Sequence, residues 1–178
     1  MSIKVAINGF GRIGRMVLRA LAESQRQDIQ VVAINDLGSA DANAHLFRYD
    51  SVHGRFGGDL KVTATTLDIG LGPVTLIAEP DPEKLPWAKL GIDLVFECSG
   101  RFTKRDEAAR HLTAGAKRVL VSAPAENADI TVVYGVNHQV IQKDHLVISN
   151  ASCTTNCLAP LAAVLHQAIG IEWGYMTT

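Results

Sequence analysis

The sequence predicts an α/β fold: an open, doubly wound, mostly parallel sheet covered by helices on both faces. Two observations carry that prediction. Short apolar, β-branched runs of strand length alternate with segments whose apolar residues recur every three to four positions. The first run and first helical segment are joined by a glycine-rich turn, not by a hairpin. Element by element, Ile3, Val5 and Ile7 share one face of a strand that stops at Asn8-Gly9. Ile13, Met16, Val17, Ala20 and Leu21 then trace one side of a helix reaching Gln25. Ile29 to Asn35 is β-branched and almost wholly apolar, as in a strand covered on both faces, and completes a βαβ unit with a right-handed crossover. Over 52–90 the pattern is a meander, with short strands at 60–65, 67–69 and 74–78 separated by Gly70, Gly72 and Pro73.

Parallel strands resume at 92–98, 118–122, 131–134 and 146–149. A helix over 103–114 turns Ala108, Ala109 and Leu112 inward, while Lys104, Arg105, Asp106, Glu107 and Arg110 read as its solvated face. Leu158, Leu161, Ala162 and Leu165 carry a last helical period to Ala168, with Gly170 as its stop. Pro160 removes a backbone donor there, so a kink or a later helix start is expected.

A length of 178 residues leaves room for one domain and part of another. With 47% hydrophobic and 20% charged residues, disorder is excluded. Seventeen basic against eighteen acidic side chains lack the footprint of a nucleic-acid binder or a polybasic membrane ligand. No apolar run approaches the roughly 18 residues of a spanning helix, and the start lacks the layout of a signal peptide. Three cysteines predict free thiols in a reducing cytoplasm.

Gly9-Phe10-Gly11-Arg12-Ile13-Gly14 is a G-x-G-x-x-G between the first strand and first helix. In that setting Gly9 makes the tight turn, Gly11 lets backbone approach a pyrophosphate, and Gly14 brings helix and sheet together. Asp36 ends the second strand 22 residues after Gly14, near the expected spacing of ~20. A carboxylate there accepts from the 2′- and 3′-hydroxyls of an adenosine ribose and repels a 2′-phosphate. The expected ligand is therefore NAD, not NADP, on a Rossmann-type sheet.

Asn150-Ala151-Ser152-Cys153-Thr154-Thr155-Asn156-Cys157 follows directly on a strand and opens the last helix. Cys153 would lie in its first turn, where unpaired N–H groups and the dipole favour a thiolate nucleophile. Position alone leaves a small buried residue equally open. Cys157 reads as structural or as a second oxidisable thiol, and Cys98 as core. A lone C-x₃-C makes a poor metal site, and the histidines show no ligand spacing, so no metal is expected. His45, His53, His111, His138, His145 and His166 read as solvated or hydrogen-bonded residues.

Taken together, residues 6–15, 34–36, 48–55, 117–124, 135–138 and above all 149–160 resemble the phosphorylating glyceraldehyde-3-phosphate dehydrogenases, in order and in spacing. The likeness covers the whole chain but only the amino-terminal half of that family. It implies a cofactor domain over 1–150, then the first helix and strand of an α+β catalytic domain over 151–178. It implies that Cys153 attacks the aldehyde of glyceraldehyde 3-phosphate, and that the thioester left after hydride transfer to NAD is cleaved by inorganic phosphate to 1,3-bisphosphoglycerate. Ser152 and Thr154 would contact substrate or phosphate. Gly9, Phe10, Gly11, Arg12 and Ile13 would lie along the pyrophosphate and Asp36 on the ribose. Ser99 and Ser122 would line the cleft, with Phe102 near the adenine. A homotetramer is implied for the full-length protein.

Two positions depart from the pattern at the adenine edge: Pro80 stands where relatives often carry a basic residue, and Arg101 where many carry an aliphatic one. The family continues to a general-base histidine at position 180, so a chain of these 178 residues alone is expected to bind NAD without appreciable turnover. The nearest enzymatic alternative is an erythrose-4-phosphate dehydrogenase, disfavoured because such relatives more often place Glu at the Asp36 position. The alternative from another class is a nucleotide-binding or thiol redox module without turnover.

Overall fold

A computed structural model describes residues 2–178. Strand β1 (Ile3–Asn8) leads through α1 (Arg12–Ser24) to β2 (Ile29–Asn35), and the two strands pair in parallel. Helix α2 (Ala40–Arg48) starts at Ser39, whose Oγ accepts the Ala42 N–H at 3.2 Å, so the orphan donors of the first turn are partly satisfied. A two-stranded hairpin, β3 (Tyr49–Asp50) and β4 (Gly54–Arg55), precedes the meander β5 (Lys61–Val62), β6 (Thr66–Asp68) and β7 (Pro73–Ile77). Then come α3 (Trp87–Leu90), β8 (Leu94–Glu97), α4 (Arg105–Ala108), α5 (Arg110–Thr113), β9 (Arg118–Val121), β10 (Ile130–Thr131), β11 (Val147–Ser149) and α6 (Cys153–Ile169).

The main sheet runs β10-β11-β9-β8-β1-β2-β7-β6-β5. Every pairing from β10 to β7 is parallel, and only β7-β6-β5 is antiparallel. This is the predicted doubly wound α/β sheet. From β1 the chain winds outward through β2, then returns to the other side of β1 as β8. The sheet therefore reverses direction between β1 and β8, and a crevice opens beyond their carboxyl ends.

Strand alternation divides the core between the two faces. Ile7 and Ile34 pack with Phe10, Leu18, Phe47 and Leu67, while Ala6 and Ala33 pack with Trp87, Ile92, Val95 and Val119. On the first face Arg19 is buried: it donates to the Gly54 and His53 carbonyls, pairs with Glu23, and lies over the Phe56 ring. One side chain of α1 thereby ties down the β3–β4 hairpin.

Several expected elements differ. The buried stripe of α1 centres on Gly14 and Leu18, which leaves Ile13 exposed; a glycine can sit closer to the sheet than any neighbour. The expected helix over 103–114 is broken at Ala109 into α4 and α5, the second opening on a tighter bond from the Leu112 N–H to the Ala109 carbonyl. Its charged residues are not merely solvated: Arg105 pairs with Asp129, and Arg110 with Asp81 and Glu83. The strands expected at 60–65 and 131–134 shrink to two residues each, and 171–178 forms no strand because nothing lies beside it to accept a ladder. Helix α6 starts at Cys153 and runs through Pro160, so neither a later start nor a break is needed.

Candidate cofactor cleft and cysteine site

The crevice beyond β1 and β8 holds a cavity of about 280 Å³ that gathers Gly9, Gly11, Asp36, Ser99 and Phe102, all expected there, with Leu37, Glu79, Pro80 and Arg101 on its rim. Gly9 has φ +89°, and a Cβ on it would come within 2.5 Å of the Ser99 backbone, so only glycine lets the two loops meet. A Cβ on Gly14 would lie 2.2 Å from the Gly9 carbonyl, which is why α1 starts tight against the loop. Gly11 is different. Its φ is an ordinary −66°, and a Cβ there would meet nothing within 4 Å. Neither strain nor packing within the chain calls for glycine at that position, whereas a pyrophosphate drawn to the first amides of α1 would need the space.

Asp36 braces this loop. Its Oδ2 accepts the Phe10 N–H at 2.7 Å and its Oδ1 the Gly38 N–H at 2.8 Å and the Asn43 side-chain amide at 3.4 Å, leaving a lone pair of Oδ2 for a ligand. Phe10 itself is corrected: its ring is 1% exposed and stacks on Phe47, because so large an apolar group belongs in the core. Phe10 does not line the cavity: its N–H goes to Asp36, and Arg15 Nη1 donates to its carbonyl at 2.8 Å. The Arg12 guanidinium is engaged by Asp50 at 2.9 and 3.2 Å, so what Arg12 offers an anion is its helix-start amide. The Asp50 carboxyl is held far below its ordinary value, first by the N–H groups of His53 and Val52 and then by the His53 and Arg12 side chains.

A second cavity, of about 310 Å³, is lined by Ile13, Ser122, Cys153, Asn150, Asn156 and apolar residues of α1, β8 and β9. Ile13 thus faces the cysteine cavity rather than the glycine-loop cavity. Cys98 lies on the wall of both, buried as expected, and burial pushes its thiol up to about 11. Cys153 is exposed at the first position of α6, and Cys157 is exposed too, since no element among the described residues covers this helix; both of its readings, structural or second oxidisable thiol, stay open. Ser152 is the helix cap: its Oγ accepts the Thr155 N–H at 3.0 Å and lies 3.0 Å from the Thr154 hydroxyl. Asn156 Nδ2 donates to the Asn150 and Ser152 carbonyls, which ties the turn to the helix.

Beneath the first cavity runs a buried polar chain that the motifs did not identify. Trp87 donates to His111, which meets Glu97; Glu97 also holds Asn8 and Ser99, and Asn8 in turn holds Asn35. The signal was present: Asn8, Asn35 and Glu97 are each the polar last residue of an apolar strand. His111 is hydrogen-bonded core, as expected of the histidines.

A family profile described as glyceraldehyde 3-phosphate dehydrogenase, NAD binding domain, matches residues 3–105, and that family's C-terminal domain profile matches residues 152–178. The chain belongs to the glyceraldehyde-3-phosphate dehydrogenase family. Among curated relatives of that name, the chain is 66% identical over all its residues to one from Xanthobacter flavus, covering 53% of that protein. It is 61% identical to one from Cereibacter sphaeroides and 56% to one from Geobacillus stearothermophilus, again covering 53% of each. The chain spans about half the length of these relatives. The glycine-loop cavity lies within the family's NAD-binding domain, and NAD is its cofactor.

Proposed function

We propose that the whole protein oxidises glyceraldehyde 3-phosphate with NAD and inorganic phosphate to 1,3-bisphosphoglycerate, as a cytoplasmic homotetramer serving glycolysis or gluconeogenesis. The single observation that supports this most is the placing of Cys153. It stands exposed at the start of α6 on the wall of a cavity that shares Cys98 with the glycine-loop cavity. NAD, when bound, supplies the acceptor for a hydride. The chain's own part is covalent. The Cys153 sulfur adds to the aldehyde carbon to give a thiohemiacetal, and loss of hydride from that carbon to NAD, with loss of the hydroxyl proton to a base, leaves a thioester. A phosphate oxygen then attacks the thioester carbonyl and expels the Cys153 thiolate, giving the acyl phosphate and free enzyme.

Ser152 caps α6 and so presents its first amides to the substrate side, with Thr154 exposed beside Cys153. Ser122 lines the cavity on the sheet side. Gly9, Gly11 and the amides of Arg12 and Ile13 are read as the pyrophosphate cradle, Phe10 as the residue that ties this loop to Asp36, Asp36 as the ribose acceptor and Phe102 as the adenine wall. The division between cofactor and catalytic domains is placed between Asn150 and Ala151. These 178 residues by themselves are read as cofactor-binding without turnover, since among the described residues no histidine lines the Cys153 cavity to serve as its base.

In the whole enzyme, NADH formation from glyceraldehyde 3-phosphate is expected to require phosphate. Cys153→Ser should lower it by at least about a thousandfold, the scale on which loss of a covalent nucleophile acts, while NAD still binds by calorimetric titration. Phosphate-independent turnover, or a Cys153→Ser enzyme of undiminished rate, overturns the reading.

A further inference from the structure

We propose that Glu97 is an ionised positioning residue of the cofactor cleft, which accepts the hydrogen bond of the Ser99 hydroxyl and so leaves Ser99 able only to accept from a bound cofactor. This rests on reading the glycine-loop cavity as the NAD site. The proton assignment follows from two donors whose direction is not in question. At one end, the Trp87 indole can only donate, and it meets His111 Nδ1 at 3.0 Å. His111 Nδ1 is therefore the acceptor nitrogen, the ring proton sits on Nε2, and Nε2 donates to Glu97 Oε2 at 2.8 Å. At the other end, the Glu79 backbone N–H donates to Asn35 Oδ1 at 2.9 Å. That orients the Asn35 amide, whose Nδ2 donates to Asn8 Oδ1 at 2.7 Å, and Asn8 Nδ2 is left to donate to Glu97 Oε2 at 2.6 Å.

The other carboxylate oxygen closes the chain. Glu97 Oε1 accepts the Ser99 N–H at 2.8 Å and also meets the Ser99 hydroxyl, while the Ser99 Oγ accepts the Arg101 N–H at 3.1 Å. With its oxygen already accepting from Arg101, the Ser99 hydroxyl directs its proton to Glu97. Four donors thus converge on one carboxylate that is 1% exposed, and no lone pair in this arrangement is left for a proton.

The consequence lies in the cleft. Ser99 lines the same cavity as Asp36, and both offer lone pairs only. That wall suits a hydrogen-donating group, such as a ribose hydroxyl, and opposes a phosphate ester. Glu97 reaches the ligand solely through Ser99, which makes it a specificity-determining residue with no ligand contact of its own.

The test uses the purified protein with NAD and NADP as probes. First, ¹⁵N-resolved NMR of His111 without cofactor should show the neutral Nε2–H tautomer at pH 7; an imidazolium or the Nδ1–H tautomer overturns the proposal whether or not any variant folds. Second, in Glu97→Gln the new amide donates toward Ser99 and reverses its hydroxyl. NAD affinity should fall about tenfold while NADP affinity holds or rises, narrowing the preference. Adding Ser99→Ala to Glu97→Gln should cause no further loss of NAD affinity, because both substitutions act through one hydroxyl. Independent, additive losses, or equal losses for the two cofactors, overturn it. Failure of the unaltered protein to bind NAD defeats the cofactor reading and leaves the NMR result standing.

Discussion

Within the glycine loop, three glycines carry three different physical loads. Gly9 sits at φ +89° with the Ser99 backbone 2.5 Å from where its Cβ would be. Gly9→Ala is therefore expected to cost about 3 kcal/mol in unfolding free energy, from strain and overpacking together. Gly11 has neither constraint, so Gly11→Ala should shift stability by less than about 0.5 kcal/mol. Its methyl would nonetheless occupy the approach to the first amides of α1, and NAD affinity should fall at least about tenfold. Chemical denaturation and calorimetric titration of both variants separate these effects; a Gly11→Ala protein that binds NAD normally removes the reason for the glycine. The spacing of the motif made the loop legible from the sequence alone. What the spacing did not show was that Phe10 turns into the core, since a motif position marks backbone approach and says nothing of where the intervening side chain packs.

Whole elements were legible where a strong hydrophobic period had a partner to pack against, and illegible where tertiary contacts set the outcome. Strands β1, β2, β9 and β11 match their apolar runs to within a residue, whereas β10 keeps only two residues, beside which one side chain joins three parts of the chain. Asp129 Oδ2 accepts the Leu146 and Val147 N–H groups at 2.8 Å each, and its Oδ1 meets Arg105 Nε at 2.7 Å. Burial raises the Asp129 carboxyl, but the bonds from Val147, Arg105 and Leu146 outweigh it and hold the group below its ordinary value. A carboxylate shifted in that direction stabilises the fold above the ordinary carboxylate range, and the contribution is lost as the pH falls through the folded value. Asp129→Ala should lower unfolding free energy by about 2 kcal/mol at pH 7, the scale of hydrogen bonds to a charged acceptor. Urea titrations should show the gap between variant and parent closing toward pH 3; a gap that stays constant would mean that Asp129 acts by packing alone. No sequence pattern announced this contact, because Asp129 and Arg105 lie in different elements and meet only once the sheet has formed.

At the scale of the molecule, the two ends of the sheet differ in how well they are covered. Strands β1 and β2 are buried on both faces and β8 and β9 fully on one, while α6 buries none of its residues. Leu161, Val164 and Ile169 are 59%, 64% and 81% exposed, and Trp173 and Tyr175 beyond the helix are more exposed still. A single exposed leucine means little, but a 17-residue helix bare along its apolar positions and continued by two bare aromatics is a contiguous patch that needs a cover. Residues 152–178 match the family's C-terminal domain profile, and the chain spans about half the length of its relatives, so further residues of such a domain are a cover this patch would fit. A polypeptide of residues 1–178 alone should hide the patch against itself, its sedimentation coefficient rising with concentration. Leu161→Lys with Val164→Lys should make it monomeric without lowering NAD affinity, because neither residue lines the glycine-loop cavity. In the full-length protein the same pair of lysines would sit in an interior and should destabilise it, each burying an unpaired charge at a cost of several kcal/mol. A 1–178 polypeptide that stays monomeric at every concentration would show that α6 needs no cover.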